Sequence, residues 1–190
     1  VAYVILTVVL LLIFLIVGYP AFIAVFAHLN PFKFAKKITR VAVFGFSTSS
    51  SAATLPLNVK TTVEELGVDE KIASFVLPLG MTINMNGTAI MQVIATLFIA
   101  GCAGYQISFT QLVVIALLAL IASAGTPAAP GSGAIILFTI LSGLGYVNDA
   151  AMLAYSLILA INRPIEMLVT ALNVVGDSAT SIYVAKSEGA

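Results

Sequence analysis

Residues 123–133 read Ser123-Ala124-Gly125-Thr126-Pro127-Ala128-Ala129-Pro130-Gly131-Ser132-Gly133. Prolines and glycines at that density stop a helix, because proline lacks an N–H and glycine gains nothing from helical order. Yet the stretch sits inside a run from Ile72 to Asn148 that holds no Asp, Glu, Lys or Arg. A run so free of charge belongs in a membrane. Non-helical backbone survives at membrane depth only where protein buries it or where it lines a wet cavity. Residues 108–145 therefore read as a helical hairpin that enters the membrane and returns, with 123–133 as its tip.

Composition supports the membrane. Of the 190 residues, 61% are hydrophobic and 8% charged, against about 25% charged in an average soluble domain. Mean hydropathy is +1.13 and the mass 19.7 kDa. A soluble protein of that mass shows water roughly 8,600 Å² of surface, which 8 basic and 8 acidic side chains cannot cover. A soluble enzyme, a nucleic-acid binder (net charge +0) and a disordered tail are excluded. One cysteine, Cys102, rules out a disulfide framework. Residues 1–29 lack charge altogether and are long enough to span, since about 20 apolar residues suffice. That run exceeds the apolar part of a signal peptide, about 7–15 residues. The start at Val1, inside it, reads as a sequence whose upstream part is missing.

The charged residues set the expected topology. Lys33, Lys36, Lys37 and Arg40 follow the first span, and Lys60 to Lys71 form a second polar stretch. Basic residues favour the cytoplasmic side, so loops 30–40 and 60–71 are expected inside, and 101–110 and 142–148 outside. Arg40 and Lys60 then share one side with only about 19 residues between them. The middle of that interval, Ser47-Thr48-Ser49-Ser50-Ser51-Ala52-Ala53-Thr54, is too polar for lipid. Residues 40–62 thus read as a second re-entrant hairpin, entering from the opposite face. Around these, 1–29 spans with a kink at Pro20, 72–102 spans with a break near Asn84–Thr88, and 149–187 spans as one long polar helix. Two broken hairpins of opposite entry suggest an inverted repeat with a site at the midplane. Six ordinary spans with short loops remain open on hydropathy alone.

Charges within a membrane segment are scarce and usually functional. The last segment has Arg163, Glu166 and Asp177. Glu166, Thr170, Asn173 and Asp177 follow one another at helical spacing and share a stripe. Such a stripe must face a partner or a cavity; a structural Arg163–Glu166 ion pair with a packing Asn is the plainer alternative. A second cluster, Thr82, Asn84, Asn86 and Thr88 around Gly87, offers uncharged oxygens suited to a hard monovalent cation. Interhelical hydrogen bonding explains that cluster equally well.

Four stretches carry a family resemblance. They are Thr48-Ser49-Ser50-Ser51-Ala52-Ala53-Thr54-Leu55-Pro56; Leu77-Pro78-Leu79-Gly80-Met81-Thr82-Ile83-Asn84-Met85-Asn86-Gly87-Thr88; Pro130-Gly131-Ser132-Gly133-Ala134; and Asn173-Val174-Val175-Gly176-Asp177. In this order and spacing, over about 40–187, the chain resembles the C-terminal half of the dicarboxylate/amino acid:cation symporter family, which includes the glutamate transporters. The resemblance implies an all-α membrane protein with an elevator-type transport domain, moving against a trimeric scaffold that these residues do not include. It implies that Ser49, Ser50 and Ser51 hold the substrate α-carboxylate with Asn173, while Glu166 and Thr170 take the amino group. Thr88 would line the side-chain pocket, with Ala129 and Gly133 contributed by the second hairpin, Ser123 to Gly133, as the gate. One sodium would lie among Gly80, Asn84 and Asn173 carbonyls and the Asp177 carboxylate. Another would use Thr82, the Met85 carbonyl, and carbonyls at Ser123, Ala124 and Thr126.

Two departures bear on function. Acidic-substrate members carry an Arg where this chain has Val169, and an unpaired buried carboxylate is costly. A neutral amino acid is therefore expected, with Arg163, nearly two turns earlier, engaged by Glu166 rather than substrate. The family's Asp within Asn-Met-Asp-Gly-Thr is Asn86 here, which implies a weakened or missing third sodium site and leaves two. The family often has Asp where Glu166 stands, and Pro127 and Ala128 replace small or Gly residues, which stiffens the gate. The expected function is sodium-coupled amino-acid symport in the plasma membrane, with a cytoplasmic C-terminus, lipid around it and no nucleic-acid partner. Proton coupling through Glu166, a dicarboxylate substrate, or an ion channel are the alternatives. An intramembrane enzyme lacks a nucleophile–base pair, since His28 and Cys102 both lie at span ends. No phosphate-loop, metal or lipidation motif occurs.

Overall fold

The computed structural model describes residues 1–189 and is all-helical, with no strand among them. The chain begins with α1 (Ala2–Ile13), a π-turn (Phe14–Gly18) and α2 (Tyr19–Phe26). The π-turn precedes Pro20, whose missing N–H breaks the regular register. The Tyr19 amide instead donates to the Phe14 carbonyl, five residues back. Then come α3 (Pro31–Thr48), α4 (Ser51–Glu64), α5 (Glu70–Ile83) and α6 (Asn86–Cys102). The last four are α7 (Phe109–Ala124), α8 (Ser132–Leu144), α9 (Asp149–Ile161) and α10 (Arg163–Glu188). Three stretches are long and apolar enough to cross a membrane: Ala2–Phe26, Glu70–Cys102 and Arg163–Glu188. Only 17% of the first is buried within the protein, against 72% of the last. The apolar side chains of α1, Ile5, Leu6, Val9 and Ile13 among them, are exposed, as suits a helix solvated by lipid.

Two differences from the sequence expectation concern helix limits. Residues 31–40 are not a loop but the first half of α3, begun by Asn30, whose side chain accepts from the Phe32 and Lys33 amides. Pro31 at the first helical position needs no donor there. Residues 149–187 are not one helix: α9 ends at Asn162 and α10 starts afresh with Arg163-Pro164. Pro164 removes a rung of the ladder. Asn162 is held in place from outside, since Tyr3 Oη donates to its Oδ1 at 2.6 Å and its Nδ2 donates to Met91 Sδ at 3.2 Å.

The core is organised around α10, which touches α1 to α6 and α9. Its residues from Val169 to Ala179 are all buried. A helix so polar survives there because its neighbours supply partners. Asn58 of α4 donates to the Val174 carbonyl at 3.0 Å and accepts from Ser178, while Thr62 lies 3.0 Å from the Ser178 hydroxyl. Close approach does the rest. A Cβ on Gly45 of α3 would lie 2.9 Å from Val174 Cγ2, and one on Gly176 would collide with the Tyr19 hydroxyl of α2. α3 and α4 pack together across a two-residue link, as do α7 and α8 across Gly125–Gly131. The two links meet: Ser50 Oγ donates to the Ala128 carbonyl at 2.9 Å.

Candidate functional site

Where these links meet α6 and α10 lies a partly open cavity of about 30 Å³. Glu166, Val169, Thr170 and Asn173 line it from α10, and Met85, Thr88 and Met91 from the break after α5 and from α6. Ser49 and Ser51 line it from the first pair, and Thr126, Ala129 and Gly133 from the second. Sequence reasoning named all of these except Met91; Pro127, Ala128, Gly131 and Ser132 also line the wall. Met91 reads in sequence as one more apolar residue of a buried helix, and only its contact with Asn162 marks it.

Ser49 adopts a left-handed backbone, φ +49°, which is uncommon for a residue other than glycine. Its hydroxyl is buried and has no hydrogen-bond partner among the described residues. An unsatisfied buried polar group costs about 1–3 kcal/mol, so strain and cost coincide on one residue of the cavity wall. Beside it begins α4, whose first-turn Ala52 and Ala53 amides are already engaged, by the Ala128 carbonyl and by Ser50 Oγ, which leaves the Ser51 amide for an anion. Ser50 caps that turn, accepting from the Ala53 amide at 3.2 Å while it donates across to Ala128. Its side chain therefore closes the wall rather than facing the cavity. Ser50→Ala removes both bonds. We expect a loss of about 1 kcal/mol, read as a lowered Tm, with faster amide exchange at Ala52, whose N–H also reaches the Ala128 carbonyl.

Glu166 is buried, and its Oε1 accepts from the Ala134 amide of α8 at 3.1 Å. The carboxylate thus sits at a helix N-terminus, where the dipole favours negative charge. The expected Arg163–Glu166 pair does not form. Arg163 is exposed, and Lys60–Glu64 at 4.0 Å is the one ion pair among the described residues. With α10 beginning at Arg163, that side chain projects from the helix start, while Glu166 points into the core. Two helix starts, α4 and α8, thereby border the cavity; Glu166 sits at that of α8, while at that of α4 the Ala52 and Ala53 amides are already paired. Thr170 Oγ1 donates to the Glu166 carbonyl at 2.9 Å. Asn173 accepts from the Gly87 amide at 2.8 Å and donates to Thr88 Oγ1 at 3.2 Å. A Cβ on Gly87 would fall 2.9 Å from the Val169 carbonyl, so glycine is needed where α6 starts.

A second cluster lies one turn further along α10. Asp177 is 2% exposed, and the one hydrogen bond it accepts among the described residues comes from Asn84 Nδ2, at 2.9 Å. Gly80 lies against it, for a Cβ there would come within 2.7 Å of Asp177 Oδ1. Asn86 Nδ2 donates to Asn84 Oδ1 at 2.8 Å and to the Tyr19 hydroxyl at 3.1 Å. Tyr19 was not foreseen, because nothing local marks a tyrosine of the first span as a neighbour of residue 86. The Thr82 side chain is exposed and bonds its own helix at Leu79. Ser123 does likewise at Leu120, and Ala124 is exposed, so neither hydroxyl nor methyl reaches the cavity. No three of His, Cys, Asp and Glu cluster among the described residues. The donor set is one carboxylate with neutral oxygens, the chemistry of a hard monovalent cation rather than of zinc.

An all-helical, largely apolar bundle holding a small polar cavity and two buried carboxylates, Glu166 and Asp177, has the makings of a membrane carrier. The model of the sodium:dicarboxylate symporter family matches residues 1–187, and the chain belongs to that family. It is 35% identical over 164 residues to an excitatory amino acid transporter of Caenorhabditis elegans, covering 86% of this chain and 32% of that protein. Human excitatory amino acid transporter 2 is 37% identical over 149 residues, 78% of this chain and 25% of that protein. The chain thus spans between about a quarter and a third of the length of these relatives.

Proposed function

We propose that this chain forms the substrate- and cation-binding core of a secondary active symporter that couples a neutral amino acid to sodium. The observation that carries it is the cavity wall itself. A strained Ser49, whose hydroxyl has no partner among the described residues, shares the wall with Glu166, Thr170 and Asn173. That combination of free donor and carboxylate matches a zwitterion, carboxylate to the Ser49 hydroxyl and Ser51, ammonium to Glu166 and Thr170. Val169, 5% exposed in the wall, offers nothing to a second carboxylate. The relatives are named for excitatory amino acids, and in this chain Val169 argues for a neutral one.

Sodium is co-substrate in this proposal. Asp177 with carbonyls of Gly80, Asn84 and Asn173 forms one site; the Met85, Thr82, Ser123, Ala124 and Thr126 backbone supports a second. A third is disfavoured, since Asn86 offers a cation a neutral amide oxygen where the family has a carboxylate. The cavity of about 30 Å³ holds roughly one water, far below the roughly 300 Å³ at the lower end of small-molecule pockets. Substrate access therefore requires the 125–131 wall to swing away and release the Ser50–Ala128 bond. We read α3–α4 and α7–α8 as re-entrant hairpins of an elevator domain in the plasma membrane, within a trimer. Loops around 60–71 and the C-terminus are cytoplasmic in this proposal.

The test is uptake into proteoliposomes by the full-length protein that carries this chain. A sodium gradient should drive labelled neutral amino acids inward, and glutamate should not compete. Tight glutamate competition would overturn the specificity, and uptake driven by protons alone would overturn the sodium coupling.

A further inference from the structure

We propose that the basic face at the start of α3 is a binding site for the phosphate of an anionic phospholipid. Lys33, Lys36, Lys37 and Arg40 recur at spacings of three and four, which places all four on one side of the helix. They are half of the eight basic residues in the chain, and all are exposed. Within the protein this grouping is unfavourable. Like charges three and four apart repel, and cations in the first turns oppose the helix dipole, with no acidic residue there to offset it. One acidic residue comes near by its backbone, since Lys37 Nζ donates to the Glu65 main-chain carbonyl oxygen. Even so, no carboxylate among the described residues lies within 4.0 Å of any of the four. An external anion satisfies what the fold leaves open.

The surroundings select a lipid. A recess of about 160 Å³ is lined by Lys33 and Lys37 together with the apolar Leu29, Leu66 and Ile182. It can take a charged phosphate at one edge and glycerol or the first acyl carbons at the other. The neighbouring surface changes character at this level. Val25 and Phe26 are 61% and 55% exposed, Leu29 is 44% and Phe32 is 83%, and the lysines begin immediately after. Apolar side chains, then an exposed aromatic, then cations is the order found from acyl chains through the interface to the headgroups. Basic residues at that level attract anionic lipid, each worth up to roughly a fivefold preference.

The experiment places the full-length protein in phosphatidylcholine nanodiscs carrying trace spin-labelled phosphatidylglycerol or spin-labelled phosphatidylcholine. Electron paramagnetic resonance then gives the immobilised fraction of each. The expected result is several-fold preference for phosphatidylglycerol, falling with added salt. Lys33→Gln, Lys36→Gln, Lys37→Gln and Arg40→Gln should each lower it, and together remove it. Lys60→Gln with Lys186→Gln should leave it unchanged, and arginine at 33, 36 and 37 should retain it, which separates charge from misfolding. Equal immobilisation of the two lipids, or the same loss from the Lys60/Lys186 control, overturns the proposal. So does displacement of the labelled lipid by inorganic phosphate at physiological concentration, which would make the ligand a soluble anion.

Discussion

Asp177→Asn will leave the bundle assembled and take away the sodium dependence of uptake. The side chain keeps its size, and Asn84 can still donate to the amide oxygen, so the packing of α5 against α10 survives. What goes is the one negative charge among neutral oxygens, at a position 2% exposed. Removing one member of a buried charge pair costs about 3–5 kcal/mol. Apparent sodium affinity should therefore fall roughly 10²–10⁴-fold, read by titrating uptake with sodium and by the sodium-induced rise in Tm of the purified protein. The thermal arm needs no transport, so it distinguishes a lost cation site from a stalled carrier. An unchanged sodium titration in both assays would place the coupling ion elsewhere.

Val169→Arg is expected to admit glutamate. Position 169 lines the cavity one turn beyond Glu166, so a guanidinium there is balanced by a carboxylate on the same helix face. It can grip a side-chain carboxylate with two parallel N–H donors, which an ammonium cannot do as well. Hydrogen bonds to charged groups are worth about 1.5–3 kcal/mol, so glutamate should gain roughly 10–100-fold as a competitor while neutral uptake declines. Val169→Lys should gain less. If glutamate stays inert against a folded Val169→Arg protein, the substrate side chain does not extend toward α10.

What the sequence could disclose was whatever is written locally. Helices end at Asn84–Met85 and at 125–131 because the residues there are poor helix formers, and that is visible in a string of letters. The stripe of Glu166, Thr170, Asn173 and Asp177 follows from a period of 3.6 alone. Asn162 was invisible for the opposite reason: proline two residues on permits a break, but Tyr3, far away in sequence, decides its geometry. Arg163 misled because helical spacing shows which residues can meet, not which way a buried carboxylate will turn when a helix start lies across from it. Tyr19 and Met91 join the site through contacts that no local pattern encodes. The roles of the individual residues came from the family resemblance, and the structure adds where each one sits.

The glycine contacts around α10 have a mechanical consequence. At Gly45, Gly87 and Gly176 one side of each contact with α10 has no side chain: Val174 packs directly on Gly45, the Tyr19 ring on Gly176, and at Gly87 the Val169 carbonyl itself closes in. Flexible side chains are the bearings on which helices slide, and here each contact has one at most on a single side, a branched valine or a rigid ring. Pulling on α3, α6 or the Tyr19 end of α2 should therefore drag α10 with it, as spokes carry an axle. The wall from Gly125 to Gly131 is tied on differently, by hydrogen bonds such as Ser50 to Ala128, which break and re-form without disturbing close packing. Compliance is thus concentrated in one segment. Substitutions that soften the axle contacts should degrade the timing between the gate and the rest of the body before they degrade either part alone.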